Sequence, residues 1–525
     1  MSTDIVAQSA VHLVRRISMG EISSSEVVEA HIRQIEAVNH QLNAVVFPLF
    51  DQARESARQL DHARSRGEPL GPLHGLPVTI KDMFDVQGAP TTAGISTRSG
   101  HRAAEDADAV ARLRMAGAIP LGKTNVPMMG MKTSSDNPLY GLTRNPWNLD
   151  RTPGGSSGGE AAIIAAGGSP LGLASDGGGS IRWPAHCCGI AGLKPTSRRL
   201  SFRGHWSLPN FLDDWAQAGP MARYVEDLEL AMQVLCGSPS AFCPDANNAP
   251  IRDSRNVRMD KLRVGFYTRL SWLKPSRAVQ RAVEQTATQL RSVGVDVQPF
   301  DPPNVDHALR LYFGIFYADA LHFVRRQLRG AKLDDDFRQY LLLARMPTVV
   351  RQLLSRIYSW RGQRSMSDTL RYISKRILST PDYLELLNQQ KAYRQQFAKA
   401  LDAAGIDALI GPPNPMPAYP HGEFYSNFSF SYTNLYNLLG MPAGVVPVTR
   451  VQKEEEIAPS PTMDPVERCF ARTIHNSQGL PVGVQIIARW WREDVVLAIM
   501  REIQSHFRSN DDYPQTPTQC GLTEP

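Results

Sequence analysis

The chain has 525 residues, 42% of them hydrophobic, with 57 Lys and Arg against 51 Asp and Glu for a net charge of +6. That balance is too apolar for a disordered chain and too mild for one built to coat a polyanion. Six cysteines, scattered without a framework, exclude a disulfide scaffold and suit free thiols in a reducing cytosol.

The first twenty residues contain Asp4 and no continuous apolar core, so no secretory leader is expected. No uninterrupted apolar run reaches the roughly 18 residues of a membrane span, and a cytoplasmic protein is the expectation. S-S-S-E supplies a capping box from Ser23 to Glu26, ahead of a helix with Val28, Ile32 and Ile35 on one face. G-L-P-V-T-I-K-D then reads as an apolar strand opened by Gly75 and closed by Lys81. G-A-I-P-L-G-K-T, Gly117 to Thr124, spells a phosphate-binding loop in letters, but Pro120 has no N–H to offer a phosphate. A buried strand leaving the helix A-V-A-R-L-R-M-A fits it better.

From Gly154 to Gly179, ten of 26 residues are glycine, and they crowd around Ser156 and Ser180. Apolar A-A-I-I-A-A and L-G-L-A stretches between the glycines argue for buried structure rather than a linker. A serine hydroxyl becomes a nucleophile only beside a base, and a lysine can be that base only where burial brings its pKa toward neutrality. Lys81, closing an apolar strand, is suitably placed. Gly177, Gly178 and Gly179 leave backbone N–H groups uncovered, as an oxyanion hole requires. G-S-S-G-G around Ser157 also fits the nucleophile elbow of Ser-His-Asp hydrolases, yet none of the 13 histidines is marked out as its partner. Cys187 and Cys188 are adjacent rather than spaced for a metal, and His186 beside them reads as a packed core histidine.

Cys236 to Asp260 reads as a surface connection, followed by a strand in L-R-V-G-F-Y, a helix over 276–293 and a strand in V-D-V-Q-P-F. Leu311 to Phe323 is an apolar and aromatic run, a wall for an acyl chain if one is bound, with Phe313, Phe316 and Tyr317 foremost. Between Arg345 and Arg376 eight Lys and Arg face one acid, Asp368, while Val350, Leu353, Leu354 and Ile357 recur at helical spacing. Three readings of that stretch stand open: a helix packed on its own domain with a solvated basic face, a membrane-surface patch, or a contact with nucleic acid or another acidic partner. Lys453 to Thr462 reads as an exposed loop, and the polar residues beyond Arg508 as a frayed tail.

The G-G-S-S-G-G block at Gly154 to Gly159, D-x-G-G-S-I-R at Asp176 to Arg182 and the upstream Lys81 together resemble the amidase signature family. The resemblance spans about residues 5–507 and implies an α/β fold: a twisted mixed β-sheet core covered on both faces by helices, in one domain with a polar tail at 508–525. It implies Lys81 as base, Ser156 as proton shuttle after a cis peptide bond, and Ser180 as the nucleophile that carries the acyl group. The amides of Gly177, Gly178, Gly179 and Ser180 would bind the oxyanion, Gly130 would offer a carbonyl to substrate, and Ser157, Asp176 and Arg182 would form the supporting shell. No cofactor or metal is implied. Glu160, G-G-S-P-L-G-L from Gly167 and the Ser431 to Thr449 segment narrow the likeness to the fatty acid amide hydrolase branch. In that branch an insert comparable to 330–380 caps an acyl channel and docks on membrane. The implied substrates are small hydrophobic acyl or aryl amides, with esters and carbamates by the same route, a peripheral membrane contact through 345–376, no nucleic acid, and a homodimer left open. An amidotransferase-type protein working with partner subunits, or a non-catalytic binding protein on this fold, are the alternatives.

Overall fold

The computed structural model describes residues 2–206, 214–236, 249–270, 272–372, 377–423, 431–457 and 462–518. Cys243, Cys520, Lys375 and Arg376 lie outside them. Strands β1 (Val45–Pro48), β2 (Pro77–Lys81), β3 (Ile119–Thr124), the two-residue β4 (Asp136–Asn137) and β5 (Gly141–Leu142), β6 (Leu171–Asp176), β7 (Ala191–Lys194), β8 (Gln217–Ala222), β9 (Arg263–Phe266), β10 (Asp296–Pro299), β11 (Ala408–Gly411), β12 (Ala443–Arg450) and β13 (Pro481–Ala488) follow in chain order. All but β4 and β5 form one 11-stranded mixed sheet, in the order β1-β3-β2-β6-β8-β7-β12-β13-β11-β9-β10. Helices pack on it, among them Gly158–Ala165, Arg277–Ser292 and Glu493–Phe507. The α/β architecture is the one expected.

The central strands are near-continuous apolar runs because both faces of the sheet are covered. In β12 and β13, V-V-P-V and V-G-V-Q-I-I are buried throughout. β2 runs parallel to β3 on one side and β6 on the other, which sets Lys81 opposite Thr124. Side chains alternate along a strand, so Thr79 and Lys81 share one face. The segment 117–124 is no phosphate loop: it supplies the buried β3, entered from the helix Asp108–Met115.

The capping box forms as expected, with Ser23 N donating to Glu26 Oε2 at 2.7 Å and Glu26 N to Ser23 Oγ at 3.1 Å. The tail departs from expectation. Through Thr518 it packs back on the core rather than fraying: Tyr513 is buried, Asp512 meets Arg281 at 3.3 Å, and Thr518 N donates to Ala165 O at 2.9 Å. In the 453–462 stretch, Glu455 likewise turns inward and pairs with Arg281 at 2.7 Å.

The basic stretch forms two helices, Thr348–Trp360 and Arg364–Tyr372, packed on each other. The apolar stripe is helical as its spacing predicts, but it is only partly covered: Val350 and Leu353 are exposed, Leu354 and Ile357 half-buried. Arg351 and Ser355 are the buried positions of the first helix, and Ser355 Oγ meets Ser367 Oγ at 3.0 Å across the pair. Val349, Leu353 and Trp360 are 76%, 58% and 85% exposed.

Candidate active site

Lys81 ends β2 in complete burial. Its Nζ lies 2.8 Å from Ser156 Oγ and donates to Ser175 O at 3.0 Å. Burial pushes its pKa down to about 7, against the pull of Asp176 and Glu160 toward the charged form. Ser156 follows a cis peptide bond from Gly155. Gly155 itself is pressed against the backbone of residues 132–134, where a Cβ would stand 2.7 Å from two carbonyl oxygens. From Ser157 the chain enters the all-buried helix Gly158–Ala165, and Ser157 N donates to Ser180 O at 3.2 Å, tying the two signature blocks together.

Ser180 and Ser156 share the wall of one cavity with Gly177, Gly178 and Gly130. Gly130 sits where a Cβ would come 2.9 Å from Met83 Sδ, at a positive φ of 67°. Asp176 anchors the glycine loop. Its carboxylate accepts from Gly179 N at 2.7 Å, Ile181 N at 3.1 Å, Arg182 Nε at 2.9 Å and Asn437 Nδ2 at 3.0 Å. Burial alone would raise its pKa, but the Arg182 guanidinium beside it holds the carboxyl well below the usual range. Arg182 in turn donates to Thr433 O and Gln485 Oε1, so no end of this buried pair is left open.

Gly179, expected among the oxyanion donors, cannot serve as an uncommitted one, because its N–H already belongs to Asp176. At a φ of 132° it shapes the turn, a conformation that suits glycine alone. Among the described residues, no acceptor takes the amides of Gly177, Gly178 or Ser180. The aromatic wall also differs from expectation: Tyr312, Phe313 and Phe316 line the cavity, from the helix Val305–Phe316, while Tyr317 does not. Tyr317 follows the last helical residue and stacks on Phe313 instead, at 6.3 Å.

Several further neighbours complete the surroundings of these residues. Glu160, fully buried, takes the Thr79 hydroxyl on one oxygen and that of Thr124 on the other, at 2.6 Å for Thr124. Burial raises its pKa to about 7 in spite of those donors. Ser175 Oγ meets His205 Nε2 at 2.9 Å, and burial, with Lys81 and Lys123 nearby, keeps that imidazole neutral. Asn437 and Thr433 stand four apart on the helix Ser431–Leu439, a spacing that puts both on one face and could have marked them. His186 is the packed histidine expected, accepting from Gly483 N at 3.1 Å and facing Met416 O at 3.0 Å.

Residues 26–497 match the family described as Amidase. The chain belongs to the amidase signature family. It is an amidase, a hydrolase acting on amides. It is 33% identical over 515 residues to fatty-acid amide hydrolase 1 of Sus scrofa, covering 95% of this chain and 86% of that protein. It is also 33% identical over 512 residues to a subunit of the glutamyl-tRNA(Gln) amidotransferase of Mycobacterium tuberculosis, covering 93% of this chain and 94% of that one. Among solved structures, a fatty acid amide hydrolase superposes with a TM-score of 0.81 at 25% identity, over 96% of this chain and 86% of that one.

Proposed function

We propose that this amidase cleaves the C–N bond of hydrophobic acyl or aryl amides, and related esters and carbamates, through an acyl-enzyme on Ser180. The observation that carries the reading is the 2.8 Å approach of a fully buried Lys81 to Ser156 on the cavity wall that Ser180 shares. A neutral lysine has one lone pair and two N–H groups. It gives one N–H to Ser175 O and takes the Ser156 proton on the lone pair. Ser156 then draws the proton from Ser180, whose Oγ attacks the acyl carbon. The amides of Gly177, Gly178 and Ser180 receive the developing oxyanion. Ser156 returns the proton to the departing amine, and water releases the acyl group by the same relay.

Residues 5–507 act in this reading as one catalytic unit and 330–380 as its cap. Lys132, at the cavity edge, reaches Asp334 at 3.2 Å and Asp336 at 2.8 Å, which ties the cap to the mouth. The outward Val349, Leu353 and Trp360 beside exposed Arg345, Arg356 and Arg361 support a peripheral membrane contact. No helix among the described residues is long and apolar enough to cross a membrane. The amidotransferase reading rests on the equal identity to the mycobacterial protein, and it requires partner subunits for activity.

The test is hydrolysis of anilides from acetyl to a long fatty acyl group by the isolated chain, with Ser180→Ala as control. Rates that climb with chain length and vanish in the variant, by at least about 10⁴-fold, are expected. Turnover confined to short or aryl amides would remove the lipid reading. Activity that survives in Ser180→Ala would remove the nucleophile.

A further inference from the structure

The three glycines of the oxyanion loop have no side chains to hold them, and two of their carbonyls are held from outside. Tyr312 Oη donates to Gly177 O at 3.0 Å, and Thr433 Oγ1 donates to Gly178 O at 2.6 Å. A peptide unit is planar, with its C=O and N–H opposed. Fixing the Gly177 carbonyl therefore fixes the direction of the Gly178 N–H. The contact is close enough that a Cβ on Gly178 would stand 2.8 Å from Tyr312 Oη. At Gly177 there is open room instead: a Cβ would meet only Ala216, at ordinary contact distances of 3.5 and 3.8 Å. The loop thus lacks a steric brace at Gly177 and has a hydroxyl brace next to it.

The ring of Tyr312 faces other work. It stacks on Trp215 at 4.6 Å and on Phe316 at 6.2 Å, and meets Phe313 edge-on at 5.4 Å. Tyr312, Phe313 and Phe316 line the cavity that holds Ser180. One side chain therefore lines the cavity and touches the oxyanion loop with its hydroxyl.

We propose that Tyr312 is a positioning residue: its hydroxyl sets the plane of the Gly177–Gly178 peptide, and its ring makes that plane respond to the acyl chain filling the cavity. This rests on the acyl-enzyme reading above. A long acyl chain packs the Phe313 and Phe316 wall and holds the tyrosine against the loop, so chain length appears in kcat as well as in KM. A short acyl group leaves the stack unfilled and the loop less firmly set.

The test compares wild type, Tyr312→Phe, Gly177→Ala and the double variant on acetyl and long-chain anilides, with Ser180→Ala alongside. Tyr312→Phe keeps the ring and its stacking and loses only the hydroxyl. The expected result is a fall of about tenfold in kcat on the long-chain anilide, less than loss of a direct oxyanion donor, at unchanged KM. The advantage in kcat of long over short chains should collapse with it. Gly177→Ala, which fits the open space, should restore part of kcat when added to Tyr312→Phe, a rescue that a purely structural role does not give. An unchanged kcat in Tyr312→Phe, or a change in KM alone, overturns the proposal while leaving the acyl-enzyme reading intact, provided Ser180→Ala is dead. Turnover by Ser180→Ala overturns both.

Discussion

Between Gly154 and Arg182 nearly every side chain is buried, and the charged ones are answered: Glu160 by Thr79 and Thr124, Asp176 by Arg182, Asn437 and three backbone amides. The helix Thr348–Trp360 is built the other way round. It buries Arg351 and Ser355 and turns Val349, Leu353 and Trp360 to the outside. Both stretches include a helix rich in apolar residues, a continuous run in Gly158–Ala165 and a spaced stripe in Thr348–Trp360. The difference teaches that spacing finds an element and not its partner. The buried segment answers its charged groups within the protein, whereas an apolar face left outward persists where a second surface covers it.

The sharpest way to break the catalytic side of this contrast is Lys81→Ala. Amide hydrolysis should fall by about 10³-fold, a loss in the range of general-base catalysis, and a surface Lys→Ala change should leave it unaltered. The sign of the pH dependence follows from which form is the base. Lys81 is lowered to about 7, so below that pH it is protonated and idle, and kcat/KM should drop about tenfold for each unit of acidification. Above it, a plateau is expected. A profile flat from pH 5 to 8 in wild type, or an unimpaired Lys81→Ala, would take the lysine out of the mechanism.

The serines stood out locally, among glycines at short spacing, and Lys81 as the cation that ends an apolar strand; what joined Lys81 to Ser156 across 75 residues was the resemblance to the amidase signature family. The capping box and the β9, helix, β10 succession were legible locally too, and the fold class through that same resemblance. What escaped lies far along the chain. Tyr312 meets Gly177 across 135 residues, and Thr79 meets Glu160 across 81. No spacing rule spans such gaps. The Gly179 amide is a different case. Asp176 stands only three residues earlier, and an aspartate accepting from a backbone N–H that near is a local motif readable from the sequence.

Asp176→Asn probes the same region more mildly. Arg182 would keep its charge in complete burial with its main partner neutralised, and breaking such a pair costs about 3–5 kcal/mol. A lower melting temperature is expected. Turnover should fall by about 10²-fold, because the carboxylate also fixes the Gly179 and Ile181 amides and a small displacement there misplaces Ser180. Stability and rate that both match wild type would show that the anchor is dispensable.

The smallest effect on chemistry, and the largest on location, should come from the insert. Leu353→Glu and Trp360→Glu replace outward apolar groups on a helix that contributes no residue to the lining of the cavity with Ser156 and Ser180. Hydrolysis of acetyl anilide should be unchanged. Sedimentation with vesicles containing anionic lipid should weaken, since each variant removes an inserting side chain and sets a negative charge among basic residues worth roughly 1 kcal/mol each near such a surface. Added salt should weaken the wild type's binding too, because the basic share of the attraction is screened. Should the wild type fail to sediment with those vesicles at low salt, the outward face is a solvated one, and the contrast between the two segments reduces to a difference in packing. If it sediments and the variants do not, the exposed stripe has its covering surface, and the route of a lipid amide into the cavity starts at the membrane.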